Sequence, residues 1–106
     1  MVKVVLEHRA KDLECARRLV EVIKGIRAVA CKQPGYIVGE TMVDVDDPCH
    51  VIVNTTWRTE EEWKAWDESK RRNEMREELI QQLAEPYTAV TLKIGIVWEE
   101  DLLHCF

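Results

Sequence analysis

A tryptophan-rich corner limits what this chain can fold into. Residues 54–69 read Asn-Thr-Thr-Trp-Arg-Thr-Glu-Glu-Glu-Trp-Lys-Ala-Trp-Asp-Glu-Ser, and three of the four tryptophans, Trp57, Trp63 and Trp66, fall inside this run. The residues up to Trp57 favour a strand. Thr59 and Glu62 then form a capping box, in which the Thr59 hydroxyl accepts from the Glu62 amide and the Glu62 carboxylate reaches back. A strand must therefore turn into a helix within two residues. Trp63 and Trp66 stand three apart and share one helix face. So large an aromatic area is either core or the wall of a pocket.

The rest of the chain alternates between the two periods. Val2 to Arg9 reads as a first strand, with Val2, Val4, Leu6 and His8 on one face and Lys3, Val5, Glu7 and Arg9 on the other. From Asp12 to about Lys32, apolar residues recur at helical spacing at Leu13, Ala16, Leu19, Val20, Ile23, Ile26 and Val29, with Gly25 as a place to bend. Gln33-Pro34-Gly35 ends that helix. Tyr36 to Val45 is a second strand, in which Gly39 marks a bulge or a close backbone approach. After a polar turn, His50 to Trp57 is a third strand, paired with the second as an antiparallel hairpin.

The helix after Thr59 extends to about Leu83 and loosens at Ser69–Asn73, where apolar residues lapse; Met75, Leu79, Ile80 and Leu83 carry its second half. Thr88 to Ile96 is a fourth strand. The order β-α-β-β-α-β predicts an α+β, ferredoxin-like fold: a four-stranded antiparallel sheet with two helices on one face. Residues 1–97 form one domain and residues 98–106, with Trp98 and Phe106, a C-terminal tail. The second sheet face still carries apolar side chains, and covering it calls for another sheet, hence a homodimer through that face.

Composition narrows the function. A net charge of −5 argues against nucleic acid as a partner. No run reaches the roughly 18 apolar residues of a membrane span, and Met1-Val-Lys-Val-Val-Leu lacks the features of a signal peptide. The expectation is a cytoplasmic protein without membrane contact. Cys15, Cys31, Cys49 and Cys105 fit no zinc spacing and read as reduced thiols. The three histidines, His8, His50 and His104, are too scattered to define a metal site, so no metal is expected.

Pro34-Gly35-Tyr36, then Trp57-x-Thr59-x-Glu61, then Trp66-x-x-Ser69, set in that element order, resemble the antibiotic biosynthesis monooxygenase (ABM) superfamily over about residues 2 to 96. The resemblance implies a dimeric α/β barrel, two sheets packed face to face. Members include quinol oxygenases that use no cofactor, heme-degrading monooxygenases and many proteins of unassigned function. In the heme-degrading branch an asparagine precedes an arginine late in strand one, a tryptophan lies on the second long helix, and the iron-ligating histidine follows ten residues later. Trp66 matches that tryptophan. Arg76 stands at the ligand position, where arginine cannot ligate iron, and His8 stands at the asparagine.

The resemblance implies an ABM-type monooxygenase that oxidises a small aromatic or quinol-like substrate without cofactor, in a pocket between helices and sheet. His8 would be the base and Arg76 the oxyanion donor, with Trp57, Trp66, Ser69 and Arg72 as substrate-binding residues. Each has a plainer reading. His8 could be a locally bonded strand-end histidine. Trp63 is favoured as core, while Trp66 is open between pocket and core. Arg71, Arg72 and Arg76 could pair with Glu74, Glu77 and Glu78 on a solvated helix face. Two alternatives remain: a non-catalytic ligand-binding or structural dimer of the same fold, and a heme-binding protein with His8 as ligand.

Overall fold

The computed structural model describes residues 1–95. Strands β1 (Val2–Arg9), β2 (Tyr36–Val43), β3 (His50–Trp57) and β4 (Thr88–Lys93) form one antiparallel sheet in the order β2-β3-β1-β4. Helices α1 (Leu13–Ala30), α2 (Glu60–Asp67) and α3 (Lys70–Gln81) complete a ferredoxin-like fold. The expected two helices are three, because the second divides where apolar residues lapse. The C-terminal tail, residues 98–106 with Trp98, His104, Cys105 and Phe106, lies outside the described residues, as do Val97 and Ile96, the latter the end of the expected fourth strand.

Local chemistry sets the helix ends. The Asp12 carboxylate accepts from the Cys15 amide at 2.8 Å and caps α1, which passes through Gly25 as one helix. The Thr59 half of the expected capping box at α2 is formed, with Thr59 Oγ1 accepting from the Glu62 amide at 3.1 Å; the Glu62 carboxylate accepts from the Thr59 hydroxyl at 3.0 Å rather than from its backbone amide. Ser69 caps α3, with its Oγ accepting from the Arg72 amide at 3.2 Å and donating to the Trp66 carbonyl at 2.7 Å. One serine thus closes α2 and opens α3, and it sets the direction in which α3 presents its arginines.

The core lies between the helices and one sheet face. Val2, Val4, Leu6 and His8 are all buried, as are Val51, Val53, Thr55 and Trp57 opposite them. Helix α1 contributes Ala16, Leu19, Ile23, Ile26 and Ala30; α3 contributes Leu79. Two expected core positions face outward, since Leu13 opens its helix and Ile80 lies one step past Leu79; they are 48% and 52% exposed.

Two glycines are required at the corner. Gly35 has φ of +87°, and a Cβ there would lie 2.5 Å from Glu62 Cδ. Its carbonyl accepts from the Arg58 amide at 2.7 Å, so the start of β2 is tied to the start of α2. Gly39 faces the helices opposite Thr55, and a Cβ there would overlap the Tyr36 hydroxyl. The bulge in β2 lies between Tyr36 and Val38 rather than at Gly39; the glycine provides the close approach.

The other sheet face is uncovered within the chain. It presents Val38 and Met42 of β2, Ile52 of β3, Val5 of β1, and Val90 and Leu92 of β4. Val38, Val90 and Leu92 are about half exposed.

Candidate functional site

Between helices and sheet lies a narrow cavity of about 30 Å³. By volume it has room for about two waters. Its floor is Leu6, His8, Val53, Thr55 and Trp57; its walls include Ile23, Ile26, Trp63, Trp66, Arg72 and Leu79. Most of this lining is apolar or aromatic, and two short polar groups of residues interrupt it.

The first is His8 with Arg72. His8 is 1% exposed, on the inner face of β1. Its Nδ1 lies 3.1 Å from the Val51 carbonyl, an acceptor only, so Nδ1 carries the hydrogen and donates it. That leaves Nε2 as a lone pair, buried and without a partner among the described residues. Burial holds the imidazole below its ordinary pKa, and the neighbouring Arg72 charge adds to the effect. His8 is therefore neutral at pH 7. The Tyr87 ring packs beside it at a centroid distance of 5.3 Å.

Arg72 is 3% exposed, a depth at which a guanidinium usually has a full set of partners. Here its Nε has none, and its nearest counter-charge is Asp67 Oδ1 at 3.9 Å. Burial lowers its pKa from a very high starting value, so it stays charged. A buried cation with an incomplete shell beside a neutral imidazole lone pair can stabilise an anion formed when that lone pair takes a proton.

The second polar group is Arg27 of α1 with Tyr36 of β2. Every lining residue is buried except these two, so they stand at the cavity mouth. The Arg27 Nε and Nη2 atoms are nonetheless buried and without partners among the described residues. Tyr36 packs edge-on against Trp57 at 5.3 Å and 89°. Burial raises its hydroxyl pKa, and the nearby Arg27 guanidinium, through its charge and a loose hydrogen-bond contact, opposes this. Trp57 in turn donates from Nε1 to Thr55 Oγ1 at 3.0 Å and packs against Trp63.

The family model described as antibiotic biosynthesis monooxygenase matches residues 1–78 of the 106. The chain belongs to that family. The solved structures similar to this ABM protein agree on the fold. One is a Nitrosomonas europaea protein described by the same family name, 17% identical, with 91% of this chain and 100% of that chain covered and a TM-score of 0.81. Another is SnoaB, a cofactor-independent oxygenase from Streptomyces nogalater, 10% identical, with 92% and 96% covered and a TM-score of 0.81. A third is a conserved protein from Methanosarcina mazei Go1, 15% identical, with 87% and 90% covered and a TM-score of 0.80. No curated protein matches the sequence.

Of the residues singled out in the sequence of this ABM protein, His8, Trp57, Trp66 and Arg72 come together on the cavity. Ser69 and Arg76 do not line it. The Ser69 hydroxyl is committed to the two cap bonds described above. Arg76 Nη2 donates to Asp67 Oδ1 at 2.6 Å and to the Asp67 carbonyl at 2.9 Å, and Nη1 donates to Asn73. Trp63 and Trp66, 7% and 4% exposed, are at once core and cavity wall. Arg27, Tyr36 and Thr55 were not anticipated. Arg27 sits four residues after Ile23 and one after Ile26, at the edge of the apolar stripe of α1, and that position was the available signal.

Among the described residues no group of His, Cys, Asp and Glu is arranged to hold a metal ion. Cys15, Cys31 and Cys49 are unpaired. No described helix is long and apolar enough to cross a membrane.

Proposed function

We propose that this ABM protein is a monooxygenase that oxidises a small aromatic or quinol-like substrate without metal or flavin, with His8 as base and Arg72 as oxyanion donor. The observation that carries the reading is the buried, unpartnered Nε2 lone pair of His8 beside a cation that lacks a full set of partners. SnoaB, a cofactor-independent oxygenase with the same fold, supports the class of chemistry. The sequence-based donor was Arg76. Its bonds to Asp67 and Asn73 occupy it elsewhere, so the role is given to Arg72.

The steps balance with dioxygen as co-reactant. His8 Nε2 takes a proton from an activated ring carbon or hydroxyl of the substrate. The resulting anion, stabilised by Arg72, reduces dioxygen and forms a C–O bond. The imidazolium returns its proton to the peroxide. Breaking the O–O bond then releases water, so a ring CH₂ plus O₂ becomes a carbonyl plus H₂O. The dry aromatic walls keep bulk water from the anion.

Ligand pockets usually run to roughly 300–1,000 Å³, so a ring is admitted only as the mouth widens. Arg27 is the wall best able to move, being a long side chain in the last turn of α1. The expected assembly is a homodimer that covers the apolar sheet face of Val5, Val38, Met42, Ile52, Val90 and Leu92, in the cytoplasm. The small size of the cavity also favours, as a second reading, a dimer that binds a ligand without turnover. Heme binding would need far more space, and Arg76 stands ten residues after Trp66 where a ligand would be.

Oxygen uptake with dithranol and 1,4-dihydroxynaphthalene tests the proposal. One O₂ consumed per anthrone oxidised, with kcat/KM falling about 10²–10⁴-fold in His8→Ala, supports it. Rates equal to buffer, or an unchanged His8→Ala, refute it.

A further inference from the structure

The cavity mouth carries a charge that base chemistry at His8 does not use. Arg27 Nε and Nη2 are buried and unpartnered among the described residues, although the rest of the residue reaches solvent. These two nitrogens form the side-on edge of the guanidinium, with parallel N–H bonds spaced to meet the two oxygens of one carboxylate. The Tyr36 hydroxyl lies close to this edge without forming a well-aligned bond, so the guanidinium is left short of acceptors, which is costly, and a carboxylate would supply them. The lining beyond them is apolar and aromatic until His8 and Arg72. A net charge of −5 would otherwise disfavour an approaching anion, which makes a local cation at the mouth consequential.

Tyr36 completes the geometry. Its hydroxyl occupies the space that a side chain at residue 39 would take, so Gly39 lets the ring lie across the strand beside Arg27. The phenol can donate a further bond to an oxygen held by Arg27.

We propose that Arg27 is the specificity-determining residue of this site, and that the cavity takes aromatic carboxylates. The carboxylate stays at the mouth, bidentate on Arg27 and supported by Tyr36, while the ring with its ionisable hydroxyl extends toward His8 and Arg72. The orientation rests on the function proposed above, but recognition by Arg27 is measurable without turnover.

The probes are 1,4-dihydroxy-2-naphthoate and its methyl ester, which share a ring and differ in one charge. Binding is followed without oxygen by quenching of tryptophan fluorescence, because Trp57, Trp63 and Trp66 line the cavity. The acid binds about 10- to 100-fold more tightly than the ester in the natural protein, the range for a hydrogen-bonded charge. Arg27→Met abolishes that preference, read as the ratio of acid to ester binding in the same variant. Arg27→Lys keeps part of it, retaining the charge without the fork. Equal binding of acid and ester, no binding of either, or a preference that survives Arg27→Met overturns the proposal. Acid preference without any oxygen uptake would leave Arg27 recognition standing and refute the monooxygenase reading. Turnover lost in His8→Ala with no acid preference would do the reverse.

Discussion

Replacing Gly35 by alanine strikes the corner that holds the site in place. Gly35 has φ of +87°, a left-handed conformation that costs an L-residue about 1–2 kcal/mol. The new Cβ would also lie 2.5 to 2.7 Å from Glu62 Cδ, Cβ and Oε1, so the Glu62 side chain must move. That side chain holds the hydroxyl of the Thr59 cap, and disturbing such a cap costs about 1 kcal/mol more. The sum is about 2–3 kcal/mol. With a urea m-value of about 1.5 kcal/mol/M, the unfolding midpoint falls by about 1.3 to 2 M. Gly25→Ala is the internal control: nothing lies within 4 Å of its added Cβ and the site is mid-helix, so stability rises by about 0.5–1 kcal/mol. Both are measured by urea unfolding at one protein concentration, which holds the concentration dependence of any self-association fixed. A Gly35→Ala midpoint within about 0.3 M of the natural protein, a loss under roughly 0.5 kcal/mol by the same slope, would refute the reasoning.

Ser69→Ala removes the hydroxyl that accepts from the Arg72 amide, and costs about 1 kcal/mol of unfolding free energy by urea titration. Arg72→Met lowers kcat/KM for dithranol oxidation about 10²–10³-fold, as loss of an oxyanion donor does, whereas Arg76→Met, outside the cavity, has a much smaller effect in the same assay. The histidines act oppositely on stability. His50 donates to Asp44 and Glu7, which raise its pKa; its contribution is full below the unfolded value near 6.5 and is lost as pH rises through the raised folded value. His50→Gln therefore costs more stability at about pH 6 than at about pH 8.5, compared by urea midpoints. His8 has a lowered folded pKa, so its burial as the neutral form penalises the fold progressively as pH drops below about 6.5.

Much of the architecture was legible because it rests on local chemistry. Period-2 alternation placed Val2, Val4, Leu6 and His8 on one inner face. The Thr59–Glu62 box placed the start of α2 at Glu60, and the lapse of apolar residues after Ser69 marked the division into α2 and α3. The same division hid which arginine faces the cavity. Spacing counted from Trp66 to Arg76 assumes one continuous helix, but the Ser69 cap restarts the helical phase and turns Arg72 inward. Arg27 was hidden for another reason. A basic residue beside an apolar stripe is usually solvated, and it is tertiary packing, with Tyr36 of β2 beside it, that dries its inner edge. Trp66 resisted a choice between core and pocket because a side chain in this fold is both, and Trp63, favoured as core, is cavity wall as well. The size of the cavity depends on how helices seat on the sheet, which no local signal encodes.

The central claim is that a neutral, buried His8 lone pair starts the oxygen chemistry. The most direct test is the pH dependence of kcat/KM for dithranol oxidation in the natural protein and in His8→Ala. The lowered pKa of His8 predicts a plateau through pH 7, with a single acid limb below about 6.5 that disappears with the imidazole. An acid limb centred above pH 7, or one that persists unchanged in His8→Ala, would contradict the account.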